Sequence, residues 1–409
     1  MRVIEIPPGT RSVLSREPGA DAVVKIIRSL CVVLPSSDIK VLLFDVKSKG
    51  SSSFLSSPPQ TYSVRNPLAS LIHRGKSTGA GKYVSSRAHN MTFTAEGLAM
   101  LSFTALITPG VLRNSRPKGE NILHIHSNYQ VIFFGLLKHM FKLRLVVLYH
   151  THNHSVIMPT GSSKPSYRAI LAEQIALRLA DFVIVPTQAV AKNLVTRFGV
   201  KENFIGVIPG GVNMPSWPNE HSVQSPSILC VGRLERRKNQ LAIIEAMGEA
   251  SCRKLNARVF LAGPIEDATY FHQVTALAAS SGVNLHYVGE VSENELGLLY
   301  QHSTIFVFPS LQETQGLALL EAMSYGLPVI ASNIEPIREV VSAEPDCCLL
   351  VDPAAQFQLA EAIKSLLRDP AQMKRMSLQA RKLAERYEWT KIATKYRYFL
   401  EGVINSNKK

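Results

Sequence analysis

Residues 304–332, TIFVFPSLQETQGLALLEAMSYGLPVIAS, constrain the fold of this chain more than any other stretch. An apolar run from Thr304 to Pro309 reads as a buried strand; a polar turn and a helix follow, and a second apolar run opens at Leu327. Continuous apolar strands joined through one helix describe a parallel pair with both faces covered, and so an α/β fold. Gly316 stands where the helix begins and leaves the free N–H groups of its first turn unscreened. Those donors and the helix dipole favour an anion such as phosphate there. Glu321 lies about a turn and a half into the helix, where it can accept hydrogen bonds from sugar hydroxyls of the same ligand. Glu313 adds a second carboxylate ahead of the helix. Together these features suggest a nucleotide-sugar site. Taken alone, the stretch also fits a surface turn and an amphipathic helix whose acids are merely solvated.

A chain of 409 residues is too long for one ordinary core, so two domains are expected. The composition, 46% hydrophobic and 19% charged, is that of a globular protein. No run of 18 or more uncharged apolar residues occurs, which argues against a transmembrane helix. The opening MRVIEIPPGT reads as a first strand rather than a signal peptide. Five cysteines without paired spacing, two of them adjacent (Cys347, Cys348), point away from a disulfide framework or zinc motif and toward a reducing cytoplasm. The net charge of +14 is uneven: residues 1–215 carry 25 Lys and Arg against 10 Asp and Glu, while the remainder carries 20 against 21. A basic first half suggests an anionic partner, either a membrane surface, a lipid phosphate or a nucleic acid; general solvation is the alternative.

From Asn121 onward, apolar strands (NILHIH, LRLVVLYH, DFVIVP, FIGVIP) alternate with helical patterns, as a parallel sheet requires. The helix from Gln130 to Phe141 sets Phe133, Phe134, Leu137 and Phe141 beside Lys138 and Lys142, which fits core packing or a membrane surface. Residues 46–92 are rich in Ser, Lys and Pro and read as a long basic loop that helps grip an acceptor phosphate, or plays no part in chemistry. Gly75-Lys76-Ser77 is not a P-loop, because the required earlier glycine is absent from ahead of it and no strand precedes it; no GxGxxG follows any strand. Histidines gather after two strands: His124 and His126, then His150, His152 and His154. Alternation aims 150, 152 and 154 to one side, which permits a metal site, though no carboxylate ligand is near; ordinary polar loop residues are the other reading.

Glu313 and Glu321 fit the Glu-x7-Glu signature of retaining glycosyltransferases, and ETQGLALLEAMSYGLPVIAS resembles glycosyltransferase family 4, of the GT-B fold. The resemblance implies two Rossmann-like domains whose parallel sheets face a central cleft. Residues 1–215 would form the acceptor side, residues 216–387 the donor side, and a terminal helix at about 388–409 would cross back onto the first domain. The turn PGGVN, with Pro209, Gly210 and Gly211, resembles the family's close of the first domain. In VGRLERRKNQ, Gly-Arg followed by Lys-Asn resembles the family's diphosphate-binding pair, carried here by Arg233 and Lys238. Their spacing across a turn lets both cations converge on one diphosphate, although so polar a turn also reads as solvated.

By the same resemblance Glu321 holds the ribose hydroxyls, while Glu313 and the backbone of Thr314, Gln315, Gly316 and Leu317 orient the sugar. His150, in VVLYHTHN, contacts the outer sugar hydroxyls, with His124 and His126 secondary. The loop from Tyr287 to Glu290 lies by the base. Gly19, in Pro18-Gly19-Ala20-Asp21, occupies the place of the family's Gly-rich loop near sugar and acceptor, with one glycine where a pair is usual.

The expected reaction is transfer of a hexose from a nucleoside-diphosphate sugar to a glycan or lipid-linked acceptor, as in polysaccharide, glycolipid or protein-glycan assembly. Arg233, Lys238 and the helix start at Gly316 would stabilise the departing diphosphate. The resemblance implies front-face transfer with retention, no covalent nucleophile, and proton acceptance by the leaving phosphate. No Asp-x-Asp occurs, so no metal cofactor is expected. The expected location is cytoplasmic, at the membrane face through the basic first domain, with no nucleic-acid partner. Two alternatives stay open: a GT-B nucleotide-sugar epimerase, and a non-catalytic basic protein that binds nucleic acid, which would leave Glu313, Glu321, Arg233 and Lys238 without a role.

Overall fold

The computed structural model describes residues 2–6, 40–46, 60–64, 104, 107–109, 111–112, 121–151, 165–215 and 226–407. They build two parallel sheets. The first contains β1 (Arg2–Ile6), β2 (Lys40–Val46), β3 (Gln60–Val64), β4 (Asn121–Ile125), β5 (Val146–His150), β6 (Phe182–Val185) and β7 (Ile205–Val207), in the order β3-β2-β1-β4-β5-β6-β7. Its helices are α1 (Asn128–Phe141), α2 (Tyr167–Leu179) and α3 (Gln188–Phe198).

The second sheet contains β8 (Ser227–Val231), β9 (Arg258–Ala262), β10 (Leu285–Gly289), β11 (Ile305–Phe308), β12 (Val329–Ser332) and β13 (Cys348–Val351), in the order β10-β9-β8-β11-β12-β13. The helices here are α4 (Gln240–Gly248), α5 (Ala268–Ser281), α6 (Glu293–His302), α7 (Leu317–Ser324), α8 (Glu335–Val341), α9 (Gln356–Arg368) and α10 (Pro370–Glu385). The last helix, α11 (Trp389–Asn407), returns to the first sheet.

Alternation along each strand builds two cores on the first sheet. Ile122, Val146 and Leu148 face Trp389, Ile392, Tyr396 and Leu400 of α11. Leu123, Ile125, Val147 and Tyr149 face the opposite way, onto Val131 and Phe134 of α1 and Ala176 and Leu177 of α2. The apolar residues of α11 recur every three or four positions, so one stripe covers the sheet. The chain crosses into α11 beside the inter-domain turn, where Val212 bridges Glu388 and a Cβ on Gly211 would lie 2.7 Å from the Trp389 ring.

The structure corrects one expectation. The 46–92 segment is not loop throughout, because Gln60–Val64 pairs in parallel with β2. Its Thr, Tyr and Val suit a strand, and the surrounding Ser, Lys and Pro obscured it. The rest of that segment lies outside the described residues.

Helix α1 also divides differently from the expected membrane face. Phe134 is buried in the core with Phe133 and Leu137 packed against it, whereas Leu136, Met140 and Phe141 are exposed. Lys138 pairs with Asp181 at 2.6 Å, and Asp181 also accepts from the Val147 N–H at 2.7 Å. Among the described residues, no helix is long and apolar enough to cross a membrane.

In each sheet the strand order reverses once: β8 leads to β9 on one side and lies beside β11 on the other, and β1 stands likewise between β2 and β4. Open α/β sheets bind ligands in the crevice outside the carboxyl ends of the strands at such a reversal.

Candidate active site

The turn after β8 and the loop after β11 meet at the second sheet's reversal. The turn begins at Gly232, with φ of 155°. Its carbonyl oxygen would lie 2.2 Å from a Cβ added to Gly263, so the two backbones cross too closely for any other residue at 263. A single 3-10 turn, Arg236–Lys238, ends at Asn239 in the left-handed conformation. The Asn239 side-chain amide donates to the Pro309 carbonyl at 3.2 Å, and the Leu311 N–H donates to the Arg237 carbonyl at 2.9 Å. Turn and loop are thereby fastened together.

Two charged residues cross that seam. Lys238 Nζ donates to Glu313 Oε1 at 2.5 Å, and Arg237 Nη1 lies 3.9 Å from the same oxygen. Arg237 also donates to the Gln312 carbonyl at 3.0 Å and to Glu235 at 2.6 Å. Lys238 Nζ sits 5.3 Å from the centre of the Phe308 ring, which adds cation–π attraction. Glu313 is therefore a buried carboxylate held between cations. Arg233 is more exposed than Arg237 or Lys238, at 46%, and its Nε lies 3.8 Å from the Glu235 oxygen that Arg237 also contacts.

Gly316 caps α7 with φ of 87° and no side-chain cap. A Cβ there would lie 2.9 Å from Ile337 and 3.1 Å from Phe308, so both backbone angle and space require glycine. The preceding loop is gripped by the first domain. Thr187 Oγ1 donates to the Thr314 carbonyl at 2.8 Å. The Gln315 amide makes a reciprocal pair with Gly210, accepting from its N–H at 2.7 Å and donating to its carbonyl at 2.8 Å. Leu317 is half-buried against the α11 core. On α7 itself, Glu321 accepts from the Tyr300 hydroxyl at 3.1 Å. Burial first, and the Glu321 charge second, push the Tyr300 hydroxyl well above its usual range, so it stays a donor.

His150 ends β5 and is buried with His124 and His126 of the neighbouring β4 end. Tyr396 of α11 contacts His124 Nδ1 at 2.9 Å. On the other side of the strand ends, buried Glu173 accepts from Thr151 at 2.8 Å, Tyr149 at 2.9 Å and Asn128 at 3.2 Å, linking the starts of both loops to α2.

The structure thus brings Lys238 to Glu313 and makes Thr314, Gln315, Gly316 and Leu317 one clasped segment leading to Glu321. It places His150 in a histidine group on the first sheet. Gly19, His152 and His154 lie outside the described residues. Sequence reading missed Arg237, hidden in a tract that looks solvated, and Tyr300, for which no local signal exists. It also missed the convergence of all three histidines, which strand register would have shown.

Comparison with known proteins agrees with this architecture. A family model described as Glycosyltransferase Family 4 matches residues 89–214, and one described as Glycosyl transferases group 1 matches residues 216–383. A sulfoquinovosyl transferase of Arabidopsis thaliana is 26% identical over 71% of this chain, which spans 58% of that protein's length. A D-inositol 3-phosphate glycosyltransferase of Xylanimonas cellulosilytica is 26% identical over 70% of this chain and 73% of its own. Among solved structures, sucrose-phosphate synthase from Thermosynechococcus elongatus superposes with a TM-score of 0.77 at 20% identity, covering 99% of each chain. Anabaena HepE in complex with UDP and glucose superposes at 0.70 and 17% identity, covering 98% of this chain and all of the other. The fold is GT-B.

Proposed function

The chain belongs to glycosyltransferase family 4, and from that membership we propose that it transfers a hexosyl unit, with retention, from a nucleoside-diphosphate sugar to a phosphate-bearing lipid or glycan acceptor. The observation that carries the reading is the Lys238–Glu313 pair, which closes the reversal of the second sheet beside the bare start of α7. Cations and free N–H groups meet there at the point where a departing diphosphate needs them. Arg233, half exposed, is free of the Lys238–Glu313 pair and reaches the ligand as it binds. Glu321, braced by Tyr300, takes the ribose hydroxyls, and Glu313 with the backbone from Thr314 to Leu317 orients the sugar. His150 contacts the sugar's outer hydroxyls from the first domain. Because protein cations and a helix start serve the diphosphate, the transfer itself needs no metal. That structures of Anabaena HepE hold UDP and UDP-glucose supports a nucleotide-sugar donor for a chain of the same fold.

The acceptor side points to a membrane surface. Tyr167 and Leu171 are exposed on the first turns of α2 with Arg168 beside them, whereas Leu136, Met140, Phe141, Lys142 and Arg144 are exposed at the far end of α1. The apolar side chains and the cation at the start of α2, on the side where the strands of the sheet end, suit an anionic bilayer that presents a lipid phosphate.

The test is mass-resolved turnover of UDP-, GDP- and ADP-hexoses with polyisoprenyl phosphate and inositol phosphate acceptors, and NMR of the product's anomeric centre. Release of one nucleoside diphosphate with a retained-configuration product is expected. An isomerised sugar formed without acceptor would show an epimerase instead, and salt-dependent DNA or RNA binding without donor turnover would show a nucleic-acid binder.

A further inference from the structure

We propose that His124, His126 and His150 form a binding site for one divalent transition-metal ion of borderline softness, such as Zn2+. Three observations on the first sheet converge on it. The register of β4 on β5 pairs His124 with Leu148 and Ile125 with Tyr149; continued one residue, it sets His126 beside His150. His124, two residues back, projects to the same face as His126. The three side chains are buried, and one ligand atom from each lies within 4.8 Å of the others.

The ring arrangement suits a shared ion. Ring centres are 4.3 Å apart for His124 and His126, 5.2 Å for His126 and His150, and 5.5 Å for His124 and His150. Imidazole nitrogens about 2.0–2.1 Å from a tetrahedral zinc would set the ring centres roughly 5 Å apart. Small ring rotations therefore close the site without moving either strand.

Tyr396 supplies the outer contact that such ligands use. With His124 Nδ1–H donating to the Tyr396 hydroxyl at 2.9 Å, Nε2 carries the lone pair that binds metal. Tyr396 is fully buried on α11, so the ring is held from outside the strand that bears it. Neutral nitrogen donors without a carboxylate select zinc, copper or nickel over calcium and magnesium. Three protein ligands leave a fourth coordination position for another donor, and the histidines stand at the carboxyl ends of β4 and β5, where open sheets meet their ligands.

The site carries a consequence that rests on the proposed function. His150 is the imidazole assigned to the donor sugar, so a metal that occupies it withdraws that contact. Zinc would then oppose donor binding, and a chelator would restore it.

The experiment uses tag-free, chelator-treated full-length protein. Zn2+ binding is measured by competition against a chromophoric chelator, and Co2+ binding by the visible absorption of a tetrahedral site. The comparison is wild type against His126→Ala, Tyr396→Phe and the control His286→Ala, His286 being exposed on β10. One equivalent is expected in wild type and in the control, with affinity about tenfold weaker in Tyr396→Phe and a greater loss in His126→Ala. Circular dichroism checks each fold; if His126→Ala does not fold, His126→Gln carries the comparison. Failure of wild type to bind stoichiometrically, or unchanged affinity in the folded His126 variant, overturns the site. Metal bound at the histidines without effect on donor binding would establish the site and overturn the assignment of His150 to the sugar.

Discussion

Lys238 Nζ donates to Glu313 Oε1 at 2.5 Å, joining two turns 75 residues apart in sequence. The pair spans β8 and β11 at the reversal of the second sheet, and both side chains are largely buried. A buried pair of this kind adds little net stability, yet it fixes where both charges stand before a ligand arrives.

Removing one partner should therefore cost more than removing both. Lys238→Met leaves the Glu313 carboxylate buried with Arg237 3.9 Å away, and a loss of about 3 kcal/mol is expected. The double variant Lys238→Met/Glu313→Gln should recover most of that stability while donor turnover stays abolished. Urea unfolding of the four-member cycle measures the coupling. Equal instability in the single and double variants would refute it.

Tyr300→Phe tests the brace on Glu321. The hydroxyl lies 3.1 Å from the carboxylate, and loss of a hydrogen bond to a charged group is worth about 1.5 kcal/mol, near tenfold in affinity. The expected change is a tenfold weaker donor Kd with kcat nearly unchanged. A fall confined to kcat would mean that Glu321 acts on the chemistry rather than on the ribose.

Gln315→Ala should loosen the domains. Its amide satisfies both the N–H and the carbonyl of Gly210, which is buried. Leaving those groups unmatched costs about 2 kcal/mol in the closed arrangement. Small-angle scattering should show a more open average shape, and the donor KM should rise. An unchanged scattering profile would show that the Thr187 contact and the Glu339 bonds to Gln188 and Ala189 suffice.

The buried thiols should report on alkaline stability. Burial pushes Cys230 and Cys347 from 9.0 up to about 12, and Cys348 well above its usual range. Because the folded state holds these protons more tightly, their contribution is complete below pH 9 and is lost as pH rises toward 12. The urea midpoint should hold up to about pH 9 and fall steadily above it. Cys230, Cys252, Cys347 and Cys348 should resist thiol modification at pH 8 until the protein unfolds, as followed by peptide mapping; rapid labelling of these four in the native state would show that they are not sealed.

Much of the architecture was legible in the sequence, because strands such as NILHI and VVLYH are buried on both faces and therefore mostly apolar. The Gly316 helix start was legible for a similar reason: a left-handed cap pressed against Phe308 and Ile337 admits glycine alone. What was hidden depends on distant partners. Nothing near Lys238 announces Glu313, and nothing near Glu321 announces Tyr300. His124 and His126 join His150 only through the register of β4 on β5. Strand β3 was obscured by its neighbours' composition, and the face of α1 required knowing that Phe134 turns inward. These are properties of tertiary pairing, to which local pattern is blind.

The central claim is that the loop from Glu313 to Gly316 and the helix carrying Glu321 hold a nucleoside-diphosphate sugar. Calorimetric titration of wild type and Glu321→Ala with UDP-, GDP- and ADP-hexoses tests it most directly. The account predicts saturable binding of one donor by wild type, with affinity at least about tenfold weaker in the folded variant. Absence of binding by wild type for all three bases, or equal binding by Glu321→Ala, would contradict it.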